Sequence, residues 1–419
     1  MESKKAAQAG PNRIRLTLCQ RTMLFLTMIS ETQIKVLKSR DKPVRFGHPW
    51  VFSGALAHTA AQRGIVSVAS SNGDPLGTAF YNPGCRLALR MLCRAGAPPF
   101  TVSEIECRLH SAIERRNHLL HHGTNSVRLV FAESDFLPGL IVDRFGDCLS
   151  VQFNGAFAEH FRAEIVAALG VLLNPHFLVD TSDNQARNRE NLPPVAAATG
   201  PAMEIRSRGV RYRVAPGSGQ KTGFYLDQAT NREIVAAHAR GRRVLDAFCY
   251  SGGFGISCLK AGAHEVTAID SSADALQLLM QNQELNRENL PANATIKTIQ
   301  ADVFEELRRL KAAGEKFDLI ILDPPKLAPS RSKTDAAEKA YKDLNLQGLR
   351  LAAPGALFAT FSCSGAMTFE KLRQVLHYAA HDAGKEVQIL QALQQGEDHP
   401  VMLAFPESEY LRGYLCRVF

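Results

Sequence analysis

The sequence predicts an α/β protein with several domains. A doubly wound, Rossmann-like, mostly parallel sheet in the C-terminal half is preceded by a small β-barrel and a central α+β unit. From about residue 203 onward, strands rich in Val, Ile and Leu alternate with helical stretches. Continuous apolar strands between helices mean a sheet buried on both faces. Between residues 30 and 95 the strands are short and closely spaced, with turn signals between them, which is the pattern of a small barrel. The chain has 419 residues, and at about 150 residues per domain it holds two to three.

Composition narrows the class further. With 45% hydrophobic and 21% charged residues the chain is globular, which excludes global disorder and coiled coil. Lys and Arg number 49 against 41 acids, a net charge of +8. That balance is compatible with a polyanionic partner without requiring one. Nine cysteines, an odd number in a long chain, point to a reducing, cytoplasmic compartment rather than a disulfide framework. No run of about 18 apolar residues occurs, so no membrane span is expected. Residues 1–27 are basic (Lys4, Lys5, Arg13, Arg15, Arg21), and the apolar piece from Leu16 to Ile29 is broken by Gln20 and Arg21. No small-residue cleavage site follows, which argues against a signal peptide. The favoured reading takes Met28 as the natural start and residues 1–29 as a disordered or non-native extension.

Along the chain, Ile34–Leu37, Val51–Phe52, Gly64–Val68, Leu76–Tyr81 and Leu87–Leu92 read as the barrel strands. Asn72-Gly73-Asp74 is the hairpin turn between two of them. Ala95–Pro99 reads as a linker. A helix is expected from Val102 to His122, with Ser103 as N-cap and Glu106 at capping-box spacing, and with His121 and His122 on its solvated end. Strands at Val127–Ala132, Gly139–Asp143 and Leu149–Phe153 complete the central unit. The expected domains are 30–97, 98–200 and 201–419.

The decisive segment runs from Val244 to Gly255 (Val-Leu-Asp-Ala-Phe-Cys-Tyr-Ser-Gly-Gly-Phe-Gly). A buried strand enters a glycine-rich turn and then a helix. Glycines such as Gly252 let a ligand approach the backbone at the carboxyl edge of the sheet, where ligands of open α/β sheets bind. Asp270 ends the next strand, near the spacing of a ribose-binding acid. A dinucleotide fingerprint needs G-x-G-x-x-G with no acid at the strand end, whereas this strand ends in Asp246. An acid there repels a pyrophosphate but suits the cationic, amine-bearing end of S-adenosylmethionine. Asp302, after the following strand, suits a contact to an adenine amino group, with a helix N-cap as the competing role. Cys249 in the loop is read as packing. The other cysteines show no zinc spacing, and no metal site is expected.

Asp323-Pro324-Pro325-Lys326 and Ser362-Cys363-Ser364 follow two successive strands, which brings Asp323 and Cys363 to the same carboxyl edge. Base aminomethylases place an aromatic after the two prolines, and here Lys326 stands in that position, which disfavours amine methylation. A cysteine at such an edge can be a nucleophile if its thiolate is stabilised, although most cysteines are small buried hydrophobes. Carbon-5 of cytosine is a poor nucleophile until a thiolate adds to carbon-6. Asp323 is the candidate to hold the ring nitrogen N3 during that addition, and the base that removes the carbon-5 proton is not assigned.

The ordered motifs resemble the RlmI-type large-subunit rRNA methyltransferases over nearly the whole chain from about residue 33. The marks are Gly47–Gly54 and Tyr81–Pro83, Phe131–Asp135 and Leu137–Arg144, Lys221–Gln228 with Asn231-Arg232, the loop at Asp246, Asp323–Lys326, Ser362–Ser364, Asp398–Val401 and Glu409–Gly413. The resemblance implies an N-terminal PUA domain that grips RNA and methylation of a cytosine carbon-5 of 23S rRNA by S-adenosylmethionine. It also implies Cys363 as nucleophile and donor contacts from Phe224, Gln228, Asp246, Gly252, Asp270 and Asp302. A homodimer is implied as well. Arg40, Lys42, Arg45 and Lys326 are candidate RNA contacts, with solvated surface charge as the competing role. Many relatives carry a second cysteine two positions before the nucleophile, and this chain has Phe361 there. The competing functions are an RNA guanine-N7 methyltransferase, which needs no Cys363, and a non-catalytic RNA-binding assembly factor.

Overall fold

The computed structural model describes residues 32–98, 100–121, 123–196, 198–217, 223–292, 294–327 and 334–419. The expected N-terminal extension, His122, and Lys221 and Thr222 of the quoted motif lie outside them.

The barrel is a five-stranded sheet of order β1-β3-β4-β5-β2, built from β1 (Gln33–Val36), β2 (Trp50–Phe52), β3 (Gly64–Ser70), β4 (Pro75–Tyr81) and β5 (Leu87–Arg94), with a short helix α1 (Lys42–Arg45) after β1. The expected turn joins β3 to β4, with Gly73 at φ +92° and the Ser70 amide donating to the Asp74 carbonyl at 2.8 Å. Leu56, just past β2, bridges Val36 of β1. The two ends of the strand order therefore meet and leave no long open edge.

The central unit comprises α2 (Ser103–Glu114), β6 (Ser126–Phe131), β7 (Leu140–Phe145), β8 (Cys148–Phe153), α3 (Ala156–His160), α4 (Arg162–Leu173), β9 (Phe177–Asp180) and α5 (Asn184–Arg189). Its four strands pair in chain order. Its core also takes in Ile65, Phe80 and Leu92 of the barrel, so barrel and central unit share one buried cluster. The helix differs from expectation. Val102 rather than Ser103 is the N-cap and makes no side-chain bond, so no capping box forms, and the helix stops at Glu114. It stops because Arg116 turns inward into a buried bidentate pair with Asp135, at 2.7 Å for both bonds. His121 consequently lies beyond the helix, in a bridge with Thr124.

A hairpin of β10 (Met203–Ser207) and β11 (Val210–Val214) and the helix α6 (Ala229–Ala236) lead into the large sheet. Its elements are β12 (Arg243–Ala247), α7 (Gly253–Lys260), β13 (Glu265–Asp270), α8 (Ala273–Leu285), β14 (Thr295–Gln300), α9 (Val303–Ala312), β15 (Phe317–Leu322), α10 (Thr334–Leu351), β16 (Ala352–Ser362), α11 (Phe369–Ala383), β17 (Val387–Gln394) and β18 (Arg412–Val418). The order is β14-β13-β12-β15-β16-β18-β17, parallel through β16, with β18 antiparallel to both neighbours. This is the doubly wound architecture expected, closed by an antiparallel pair that has no strand-length apolar run to announce it. Separate apolar clusters fill its two faces. Among the described residues no helix is long and apolar enough to cross a membrane.

Buried ion pairs join the units. Arg90 of the barrel bonds Glu133 and Glu190 of the central unit, and Trp50 donates Nε1–H to Glu133 at 2.8 Å. Arg116 also donates to the Asp398 carbonyl at 3.1 Å, Asp398 bonds His399 at 2.8 Å, and the Arg128 amide donates to Asp398 at 3.0 Å. The Asp398–Val401 motif therefore ties the central unit to the large sheet. Replacing Arg116 by Met removes the bidentate partner of the buried Asp135 and leaves it Arg115 and the Phe131 amide, so the cost is expected below the about 3–5 kcal/mol of a fully broken buried pair. The expected outcome is a lower urea midpoint, and an unchanged midpoint would show that the pair carries no stability.

Candidate active site

Parallel pairing brings the chemistry to one edge. Ala247 at the end of β12 pairs with Ile269 on one side and Leu322 on the other, and Leu322 pairs with Thr360 of β16. Asp246, Asp270, Asp323 and Cys363 therefore lie at or just beyond the carboxyl ends of four neighbouring strands. The Asp323 amide donates to the Ala247 carbonyl at 3.4 Å.

Asp246 is buried, and its Oδ2 accepts the Gly255 amide at 2.8 Å. A Cβ at residue 255 would stand 3.0 Å from that oxygen, so the close approach depends on glycine. Burial pushes the Asp246 carboxyl up to about 7, with the nearby Asp323 and Asp270 charges adding to the rise. Between strand and helix the loop takes left-handed backbone at Phe248 (φ +62°), Tyr250 (φ +47°) and Gly252 (φ +83°). For the two aromatic residues that conformation costs on the order of 1–2 kcal/mol each. Such strain persists where surrounding structure enforces it. Here Asp270 does so, its Oδ2 accepting the Tyr250 amide at 2.9 Å and its Oδ1 the Ser272 amide at 2.9 Å.

The remaining candidates divide. Asp302 is exposed and caps α9, accepting the Glu305 amide at 3.1 Å, so its competing structural role is realised. Phe224 is buried and tilts against Tyr212 with ring centres 4.7 Å apart. Gln228 is buried, and its Oε1 accepts from Asn231 at 2.6 Å while its Nε2 has no partner. Cys249 is buried in the core, the packing role expected of it.

Cys363 and Asp323 are both partly exposed, neither sealed in the interior. The Tyr225 hydroxyl is raised above its ordinary value by burial, then by the charges of Asp323, Tyr250, Asp227 and Cys363. Tyr341 is raised in the same way, by burial first and by Cys363 and Asp323 among its neighbours, and it accepts the Ser362 hydroxyl at 2.9 Å. Thiol and carboxyl thus stand around the same two tyrosines. Sequence reasoning missed both phenols. Tyr225 lies inside a quoted motif, whereas Tyr341 sits on α10 with no local signal. Phe361 is fully buried, its ring 5.4 Å from that of Phe254, so it occupies the core beneath the thiol.

Lys326 is exposed at the same edge, just past the two prolines. Arg40 and Lys42 are exposed on the barrel, and Arg45 there is engaged by Asp41 and Asp74, both at 2.8 Å. Between the central and C-terminal parts a cleft of about 640 Å³ reaches Tyr225 and Asp227, with polar walls including Asn154, Asp183 and Gln185.

The buried carboxyl at the strand end and the glycine-dependent loop beside it fit a ligand with a cationic amino end, as S-adenosylmethionine has. Without ligand, Asp246 holds its proton more tightly folded than unfolded. Its contribution to stability is therefore fully present below about pH 4 and falls by roughly 1.4 kcal/mol per pH unit as pH rises toward 7. Asp246→Asn is expected to remove that slope from the difference between urea titrations at pH 5 and pH 7. Parallel pH profiles for the two proteins would refute the assignment.

Comparison with known proteins agrees with this geometry. A family profile of S-adenosylmethionine-dependent methyltransferases matches residues 194–362, and a PUA-like domain profile matches residues 34–94. The chain is 36% identical over 395 residues to a Citrobacter koseri protein named ribosomal RNA large subunit methyltransferase I, covering 92% of this chain and 99% of that one. The Escherichia coli K12 protein of the same name is 35% identical over the same extent. A solved Streptococcus mutans structure assigned to the S-adenosylmethionine-dependent methyltransferases superposes with a TM-score of 0.77 at 22% identity, over 93% of this chain and 100% of that one. By this extent and identity the chain is an S-adenosylmethionine-dependent methyltransferase and belongs to the ribosomal RNA large subunit methyltransferase I family.

Proposed function

We propose that the protein methylates carbon-5 of a cytosine in large-subunit ribosomal RNA, with Cys363 as nucleophile. The observation that carries this is the pairing of β15 with β16 and with β12, which brings Asp323 and Cys363 to the strand edge that also holds the Asp246 loop. S-adenosylmethionine, when bound, would supply an electrophilic methyl group to carbon-5, its methyl–sulfur bond breaking to leave S-adenosylhomocysteine. The Cys363 sulfur, as thiolate, forms a bond to carbon-6 of the base, electron density shifts into the ring toward N3, and Asp323 in its protonated form donates its proton or a hydrogen bond to N3. Carbon-5 thereby becomes enamine-like and nucleophilic. After methylation the carbon-5 proton leaves to a base, the carbon-6–sulfur bond breaks, and Cys363 returns as thiolate. Enclosing one base requires that it leave its stack, and the polar cleft beside Tyr225 offers a route for a single strand.

In this reading residues 201–419 perform the chemistry, residues 30–97 hold RNA, and residues 98–200 set the distance between them. Asp246, Gly252, Asp270, Asp302, Phe224 and Gln228 serve the donor, and Arg40, Lys42, Arg45 and Lys326 serve the phosphates. For Arg45 the two carboxylate partners oppose that role, since its charge is already compensated.

The deciding experiment maps modified nucleotides in rRNA from cells with and without the gene, and assays Cys363→Ala on the same RNA. Cys363→Ala is expected to lower turnover by at least about 10³-fold while retaining S-adenosylhomocysteine binding, as loss of a covalent nucleophile does. Full retained activity, or a product methylated on guanine N7, would reject the cytosine mechanism. RNA affinity is expected to fall about 10³-fold or more between 50 and 200 mM salt if six or more phosphates are contacted. A flat salt response would count against RNA as the substrate.

A further inference from the structure

We infer that Arg232, assisted by Gln228, seats the carboxylate of the donor's methionyl end. The inference rests on the methyl-donor reading of the Asp246 loop and extends it to a residue that the sequence motifs left without a task.

Arg232 is only 7% exposed. Among the described residues four other arginines are buried: Arg90, Arg116, Arg187 and Arg412. Each pairs with a carboxylate, respectively Glu133 and Glu190, Asp135, Glu159 and Glu409. Arg232 differs from all of them. Its Nη2 donates to the Tyr225 carbonyl at 2.8 Å, and its Nε and Nη1 have no acceptor. A desolvated guanidinium with two idle donors and no carboxylate within ion-pair distance is costly, and such groups are normally paired.

The surroundings indicate which anion is missing. The guanidinium lies over the Phe224 ring at 4.4 Å and near that of Phe254 at 6.0 Å, which fix its plane. It presses on Gly253, where a Cβ would stand 2.6 Å from Nε. Gly253 opens α7 directly after the strained loop. The Arg232 charge is felt by Asp246, whose carboxyl it draws downward against the effect of burial. Gln228 stands four positions earlier, on the turn Leu226–Gln228 that leads into α6, and its Nε2 is a third buried donor without an acceptor. Residues four apart face the same way. A zwitterionic amino-acid end fits this arrangement, with its ammonium toward Asp246 and its carboxylate toward Arg232 and Gln228. A charge-assisted bond of that kind is strong enough to govern affinity.

The test is calorimetric. Wild-type protein is titrated with S-adenosylhomocysteine, with its decarboxylated analogue, and with 5′-methylthioadenosine, which lacks the whole amino-acid end. The decarboxylated analogue is expected to bind about 10- to 100-fold more weakly than S-adenosylhomocysteine. Arg232→Met is expected to weaken S-adenosylhomocysteine by a similar factor and to leave 5′-methylthioadenosine within about twofold, with Arg232→Lys recovering part of the loss. Equal wild-type affinity for S-adenosylhomocysteine and its decarboxylated form would overturn the inference without any variant. So would an Arg232→Met protein that loses both adenosyl ligands equally. Failure of the wild type to bind S-adenosylhomocysteine at all would remove the donor reading itself.

Discussion

The structure turns on a carboxyl group held out of water at the end of β12. Asp246 accepts the Gly255 amide across a turn that only glycine permits. That single bond couples the strand to α7 and fixes the loop between them. Asp270, one strand over, holds the same loop from outside by accepting the Tyr250 amide. The left-handed backbone at Phe248 and Tyr250 is maintained by these two acids. Because Asp246 is desolvated its carboxyl is raised, and the nearby Arg232 charge offsets only part of that rise. The loop is thus strained and its acid under-compensated, which is how a preorganised site differs from a stable turn.

A second constraint comes from far along the chain. Asp398, His399 and Tyr410 sit in motifs close to the C-terminus, yet they pack on the central unit. Tyr410 donates to Asp227 at 2.5 Å, His399 lies against Phe131, and Asp398 takes up the Arg128 amide. Asp227 belongs to the segment that carries Tyr225 toward Asp323 and Cys363. The same contacts that join the units therefore hold one wall of the polar cleft. Barrel and central unit are joined in the same way by Arg90 and its two glutamates.

Much of this was legible in the sequence because it is local or periodic. Apolar runs bounded by turns locate β12 to β16, and the parallel architecture alone sends Asp246, Asp323 and Cys363 to one edge. Where the reading failed, a tertiary contact prevailed over a local rule. The long helix expected to His122 ends at Glu114 because Arg116 finds Asp135, which no capping pattern near residue 103 can foretell. Strand β17 (Val-Gln-Ile-Leu-Gln-Ala-Leu-Gln) is a mostly exposed sheet edge, so it lacks the buried run that marks its neighbours.

By itself the sequence determined the fold class, the strained glycine-rich loop after β12 and the identity of the thiol and carboxyl on one edge, since each follows from residue type, spacing and strand polarity. Only the tertiary structure decided the company those groups keep. Tyr225 and Tyr341, from distant segments, both feel the charges of Cys363 and Asp323, and Asp302 spends a carboxylate oxygen on a helix cap. Arg232 lies buried without the carboxylate that every comparable arginine in the described chain has. Burial and pairing are properties of packed surfaces brought together from separate parts of the chain. No local pattern encodes them, and they set the charge and reactivity of the site.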